Sequence, residues 1–188
     1  MLEFFAFLNS LFPLSAEALA AMLKSVIEKK YRKGQHLLRK GDTCQHMAFI
    51  KKGLLKVYFD RGDKEVALWY NREMDAVLSV YSFFSKIPSK LSIKCMEECE
   101  LVLLPYTEIE NLYERYPEYN KHARLILQHY YSLSETHVML MYLTPRERFE
   151  EIKKIHPWMV DGSRLNDTML ADYLGVNRTT LSRWRNGK

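Results

Sequence analysis

Long apolar runs are missing from this chain of 188 residues. No stretch approaches the roughly 20 uninterrupted apolar residues that a membrane span needs. Met1 to Leu14 is apolar, but no basic segment precedes it and no small-residue cleavage site follows, so it does not read as a signal and a cytoplasmic protein is expected. Cysteine is scarce. Cys44, Cys95 and Cys99 are odd in number and scattered, which argues against a disulfide framework and for a reducing compartment. Cys95 and Cys99 form a CxxxC with no further ligands to close a zinc or iron-sulfur site, so no metal is expected. Walker motif, nucleophile elbow and HExxH are all absent, the six histidines lie apart, and the Glu97-Glu98 pair reads as a surface turn. No catalytic residue is assigned, no enzyme activity is expected, and nothing requires a cofactor.

What is present is the balance of an ordinary globular protein, with 47% hydrophobic and 27% charged residues. The length suits a mid-sized domain plus a small one. The net charge of +5 is unevenly spread. From Thr144 onward nine Lys/Arg face six Asp/Glu, against nineteen and seventeen before it, and from Arg178 there are four basic residues and no acid. A polyanion partner and a solvated helix end both fit that pattern.

Ser15 to Lys30 reads as a helix, capped by Ser15, with Leu19, Met22, Leu23 and Ile27 at helical spacing. Gly34, Gly41, Gly53 and Gly62 then punctuate short runs such as Leu54 to Phe59 and Glu65 to Tyr70, with turns at Gly41-Asp42 and Gly62-Asp63. With Leu91 to Met96 and Glu100 to Leu104 this makes seven or eight short strands, a small β-roll or barrel. Thr107 to Tyr116 is a short helix, and Pro117 opens a long one. From Glu118 to Leu143 there is neither Gly nor Pro. Ile126, Tyr130, Leu133, His137 and Leu140 are spaced as a coiled-coil seam and are the expected dimer interface. The same stripe could instead pack on the chain's own β domain. Leu125, Leu127, Tyr131, Val138, Met139 and Met141 make other faces apolar too, so one face can cover the domain while another meets a second copy.

Thr144-Pro145-Arg146-Glu147 spells a capping box and marks a domain boundary. Phe149, Ile152 and Ile155 give the next helix one apolar face. The informative stretch runs from Leu165 to Trp184. Asn166 caps a first helix in which Leu170 and Leu174 face inward, and Ala171 stands where a second helix crosses closely. Gly175 can end the first helix in the left-handed conformation, Val176 fills the corner, and Asn177 caps the second. Leu181 and Trp184 anchor that helix from beneath, which leaves Arg178, Thr179, Ser182, Arg183 and Arg185 outside. Arginine can donate two parallel hydrogen bonds to guanine, and Asn177, Arg185, Lys188 and the helix amides suit phosphates. The expected DNA-contacting set is Asn177, Arg178, Thr179, Thr180, Ser182, Arg183, Arg185 and Lys188.

The order of parts resembles the Crp/Fnr superfamily of transcription regulators over nearly the whole chain. Tyr31 to Gln35, Arg39 to Asp42 and Phe49 to Gly53 look like that family's cyclic-nucleotide-binding-type β-roll, and Asn177 to Arg183 like its recognition helix. The resemblance implies an α+β protein: an N-terminal antiparallel β-roll with flanking helices (1–116), a long dimerisation helix (117–143) and a C-terminal all-α helix-turn-helix domain (144–188). It implies a homodimer on a roughly palindromic operator in double-stranded DNA, with RNA polymerase as a further partner. Thr179 stands where many members carry a glutamate that reads cytosine. The Gly-Glu pair and Arg-Ser/Thr-Ala that hold cyclic AMP are replaced by Asn71 to Asp75 and Ser89 to Ile93, and no glycine occurs between Gly62 and Gly162. Glu73, Lys90 and Ser92 are the candidate effector residues, for an effector other than cyclic AMP. The competing expectation is a ligand-sensing module that acts mainly through protein contacts.

Overall fold

The computed structural model describes Ala6 and residues 12–185. The chain divides into two compact units, Met1–Leu127 and Gln128–Lys188, so the division falls inside the long helix.

The first unit begins with α1 (Ala16–Ser25), whose N-cap Ser15 accepts from the Ala18 amide at 3.1 Å. Glu118 in turn accepts from the Ser15 amide at 3.0 Å. The helix stops well before Lys30. Val26 is extended, and β1 (Ile27–Tyr31) pairs antiparallel with β8 (Cys99–Pro105), Ile27 opposite Leu103 and Tyr31 opposite Cys99. Ile27, which the helical spacing counted as core, is an exposed strand residue. A ladder with a partner far along the chain outweighs a local apolar period.

Between them lie β2 (His36–Leu38), β3 (His46–Lys52), β4 (Leu55–Arg61), β5 (Lys64–Asn71), β6 (Ala76–Val77), a short helix α2 (Val80–Ser85) and β7 (Ser92–Cys95). The eight strands form two four-stranded antiparallel sheets, ordered β1-β8-β3-β6 and β2-β7-β4-β5. Gly62-Asp63 makes the tight β4–β5 turn, with Arg61 opposite Lys64. Helix α2 was not legible as one. A left-handed Lys86 ends it, and the buried Ser82 hydroxyl accepts from the Cys44 amide and donates to the Ile87 carbonyl. Gly53 turns the chain at φ +119°, where a Cβ would stand 2.5 Å from the Cys99 sulfur. Cys95 and Cys99 are buried and free. The Cys99 sulfur and burial together push the Cys95 thiol up, so it stays protonated.

One apolar core joins both sheets (Ile50, Leu55, Val57, Ile93, Leu101) to α1 (Ala18, Met22), to α3 (Tyr106–Arg115; Ile109, Leu112) and to Tyr119 at the start of α4 (Glu118–Tyr142). The Tyr119 hydroxyl donates to the Ala18 carbonyl at 2.6 Å. On the polar side, the buried Lys56 ammonium is paired with Glu65 at 2.5 Å, which avoids an uncompensated buried charge.

The second unit contains the rest of α4, then α5 (Pro145–Ile155), α6 (Pro157–Val160), α7 (Asp167–Leu174) and α8 (Arg178–Arg185). The capping box is formed as its sequence spells it: Glu147 accepts from the Thr144 amide at 2.9 Å and the Thr144 hydroxyl accepts from the Glu147 amide. Phe149 and Ile152 are buried, whereas Ile155 is exposed. No helix among the described residues is long and apolar enough to cross a membrane.

Burial holds the buried His122 below its ordinary value of 6.5, with the Phe12 backbone and Glu118 opposing. The folded chain therefore keeps a neutral ring where the unfolded chain takes up a proton, so stability present above about pH 6.5 is lost progressively as pH falls below it. Urea unfolding between pH 8 and 5.5 is expected to show that loss, and His122→Phe to reduce it. His36, His46 and His137 shift the same way and leave part of the slope in place. An unchanged slope in the variant removes His122 from the account.

Candidate nucleic-acid interface

Helix α7 starts at Asn166, whose side chain accepts from the Met169 amide at 3.0 Å. It ends at Gly175, at φ +71°, a conformation that costs a residue with a Cβ about 1 kcal/mol. The chain then turns tightly, with the Val176 amide donating to Ala171, and Asn177 caps α8 by accepting from the Thr180 amide at 2.8 Å. Leu165, Leu170, Ala171, Leu174 and Leu181 are buried, and Val176 is half-buried at the corner. The Trp184 ring lies 5.7 Å from that of Phe149, with the Arg146 guanidinium 5.4 Å above it, a contact the sequence did not suggest.

With Leu181 beneath, Asn177, Arg178, Thr179, Ser182 and Arg183 are exposed and Thr180 is half-buried. The first turn of α8 contains no acid. Two arginines and two short hydroxyls are thus exposed together, a set of donors suited to base edges and phosphates. Arg185 is differently employed. It pairs with Asp167 at 2.8 Å and donates to the Val160 carbonyl at 2.9 Å, which ties the end of α8 back to its own unit. A phosphate would have to share that guanidinium. Lys188 lies outside the described residues.

The expected seam on α4 is mostly turned inward. Ile126 packs against the core of the first unit. Within the second, Leu140 is only 3% exposed, and His137 is half-buried with its Nδ1 3.4 Å from the Tyr173 hydroxyl. Tyr130 is half-buried, and only Leu133 of the five is exposed. The exposed apolar row is shifted by one residue, about 100° around the helix. It comprises Leu127, Tyr131, Val138 and Met141, flanked by Met139 (71% exposed) and Tyr142 (88%).

Two cavities open on the first unit. One of about 150 Å³ is lined by Leu37, Leu38, Asp42, Thr43, Cys44 and Ile93, among others. The other, of about 430 Å³, lies beside Tyr31, Arg32, Gln35, Lys52 and Glu98. Glu73, Lys90 and Ser92 line neither. Among the described residues, no group of three or more His, Cys, Asp or Glu side chains could hold a metal ion.

The cyclic nucleotide-binding domain family matches residues 28–116. No curated protein matches the chain by sequence. Solved structures do match in fold. The c-di-GMP responsive global regulator CLP of Xanthomonas campestris is 17% identical over 92% of this chain and 91% of its own, with a TM-score of 0.69. A CooA mutant from Carboxydothermus hydrogenoformans is 20% identical over 88% and 77%, with a TM-score of 0.67. A Eubacterium rectale protein described as a transcriptional regulator of the Crp/Fnr family is 17% identical over 95% and 87%, with a TM-score of 0.66.

The fold of the chain is that of Crp/Fnr-type regulators.

Within the matched residues 28–116, the three expected effector residues have separate duties. The Glu73 carboxylate accepts from the Gly53 amide at 2.8 Å, and so braces the β3–β4 turn. The Ser92 hydroxyl is buried and accepts from the Lys40 amide at 3.0 Å. Lys90 is exposed. Ser89, in the same stretch, lies 2.9 Å from the Ser79 hydroxyl and accepts from the Leu91 amide.

Ala171→Leu is expected to overpack the α7–α8 crossing, at about 1–3 kcal/mol. Thermal unfolding followed by near-ultraviolet circular dichroism should show a lowered midpoint. An unchanged midpoint means the crossing is looser than Ala171's burial implies.

Proposed function

We propose that the chain is a homodimeric transcription regulator that binds a roughly palindromic DNA operator through α8 and works in the cytoplasm. The observation that carries this reading is the exposed face of α8, where Arg178, Thr179, Ser182 and Arg183 stand together with no acid in the helix. Arg178 and Arg183 read base edges or grip phosphates, while Asn177 and the first amides of the helix take a phosphate. Thr179 and Ser182 contribute shorter contacts, and Thr180 only what its half-buried position allows. Its similarity in fold to regulators such as CLP and the Eubacterium rectale protein supports this role over an enzymatic one.

The functional parts are 1–116 as the effector-type β-roll, 117–143 as the dimerisation helix and 144–188 as the DNA-binding domain, with RNA polymerase as a further partner. A second copy meets the row Tyr131, Val138, Met141 and Tyr142, which is otherwise left in water. The effector differs from cyclic AMP, because Glu73, Ser89 and Ser92 are engaged with the protein's own groups and no arginine stands among Ser89 to Ile93.

Selection from a random duplex library followed by mobility-shift titration at two salt concentrations tests the DNA reading. Wild-type protein should enrich a two-fold sequence and weaken with salt. Arg178→Ala with Arg183→Ala should cost about 2–6 kcal/mol, at about 1–3 kcal/mol for each arginine. Binding unchanged in the double variant would falsify the assignment of α8.

Val138→Asp with Met141→Asp should shift the sedimentation mass from a dimer to the 22.3 kDa protomer. A dimer that survives both changes places the interface elsewhere.

A further inference from the structure

The last turn of α4 has no basic residue of its own, although a helix ends in unpaired carbonyls and partial negative charge. Arg148, on the next helix, supplies the missing cation. Its Nε donates to the Leu140 carbonyl at 2.9 Å, and its Nη2 lies 3.3 Å from the Met141 carbonyl and 3.4 Å from that of Leu143. One planar guanidinium from α5 thus grips three carbonyls around the end of α4. A lysine could not span that arc, because its ammonium is a point charge without the fork.

A second tie lies one turn earlier. His137 on α4 shares its hydrogen bond with Tyr173 on α7, the rings lying 6.3 Å apart between centroids. Burial pushes the Tyr173 phenol up to about 12. Burial and the Arg148 charge hold His137 below its ordinary value. Both partners are therefore neutral near pH 7, and Leu140, whose carbonyl accepts from Arg148, is itself buried. The covalent connection from α4 to α5 is only Leu143 and Thr144. So short a link leaves torsions free, and side chains must set the angle between the helices. Tyr173 belongs to the helix that leads through Gly175 into α8, so an angle fixed at His137 is passed to the recognition helix.

We propose that Arg148 and the His137–Tyr173 pair are positioning residues that lock the end of α4 to the helix-turn-helix, and so set the half-site spacing that a dimer reads. This rests on the reading of the chain as a dimeric DNA-binding regulator.

The test uses the full chain carrying Arg148→Lys or Tyr173→Phe, with unfolding temperature as the control for folding. Spin labels at Glu135→Cys on α4 and Thr168→Cys on α7 report the angle without DNA, with labelled chain diluted into unlabelled chain so that each pair lies within one protomer. Mobility shifts on duplexes with a series of half-site spacings report the consequence. Wild type should give one narrow distance and one favoured spacing, preferred by about fivefold or more. The variants should still unfold in one cooperative transition, with a midpoint lowered by no more than a few degrees, while they broaden the distance distribution and lose that spacing preference. A distribution that stays narrow overturns the proposal, as does broadening with an unchanged spacing profile. If Arg148→Lys fails to fold, Tyr173→Phe decides, since it removes a single hydroxyl. Wild type that binds no duplex sinks the functional reading instead, and the distance measurement still decides the lock.

Discussion

Burial of Leu181 is the constraint on which the outward face of α8 depends: a short helix has few ways to sit, and one fully covered side chain chooses among them. Asn177 fixes where the helix begins, and Leu181 fixes which way it is rotated. Arg178, Thr179, Ser182 and Arg183 then face outward as a geometric consequence. Arg185 departs from that face because Asp167 and the Val160 carbonyl offer its guanidinium partners nearby. Its role is to hold α8 in place, and the pairing leaves the helix with fewer uncommitted cations than its sequence suggests.

The β-roll has its polar groups largely committed to its own architecture. Glu73 braces the Gly53 turn, Ser82 holds the end of α2 to Cys44, and Ser92 satisfies the Lys40 amide. Each of these residues would be a plausible ligand contact if it stood in a cavity. Buried polar groups must find partners at a cost of about 1–3 kcal/mol if they fail, so side chains that serve the backbone are not readily lent to a ligand. The match to the cyclic nucleotide-binding domain family thus describes the scaffold of residues 28–116, while Glu73, Ser82 and Ser92 on it serve the protein's own backbone.

The long helix links these themes. Its apolar residues outnumber what one interface needs, and the structure sorts them into a covered set around Ile126 and Leu140 and an exposed set around Tyr131 and Val138. The seam spacing was legible, and so was the presence of more than one apolar face. Which face is spent inside the chain was not, because a heptad repeat has the same period wherever it starts. A shift of one residue changes the proposed contact set while leaving the pattern intact.

Local chemistry was readable from the sequence where a residue type acts on its immediate neighbours. Ser15, Thr144, Asn166 and Asn177 cap the helices they precede, and Gly175 turns the corner, since capping and left-handed turns depend on a few adjacent residues. The β-roll strands were readable too, because glycines and alternating runs mark their ends. Tertiary structure alone decided that Val26 leaves the helix for a ladder with β8, that α2 is a helix, and that Arg148, Arg185 and Tyr173 hold elements together. Those outcomes depend on partners brought near only by folding: strand pairing, burial and the reach of a guanidinium act through space, and one chain read in order does not contain those distances.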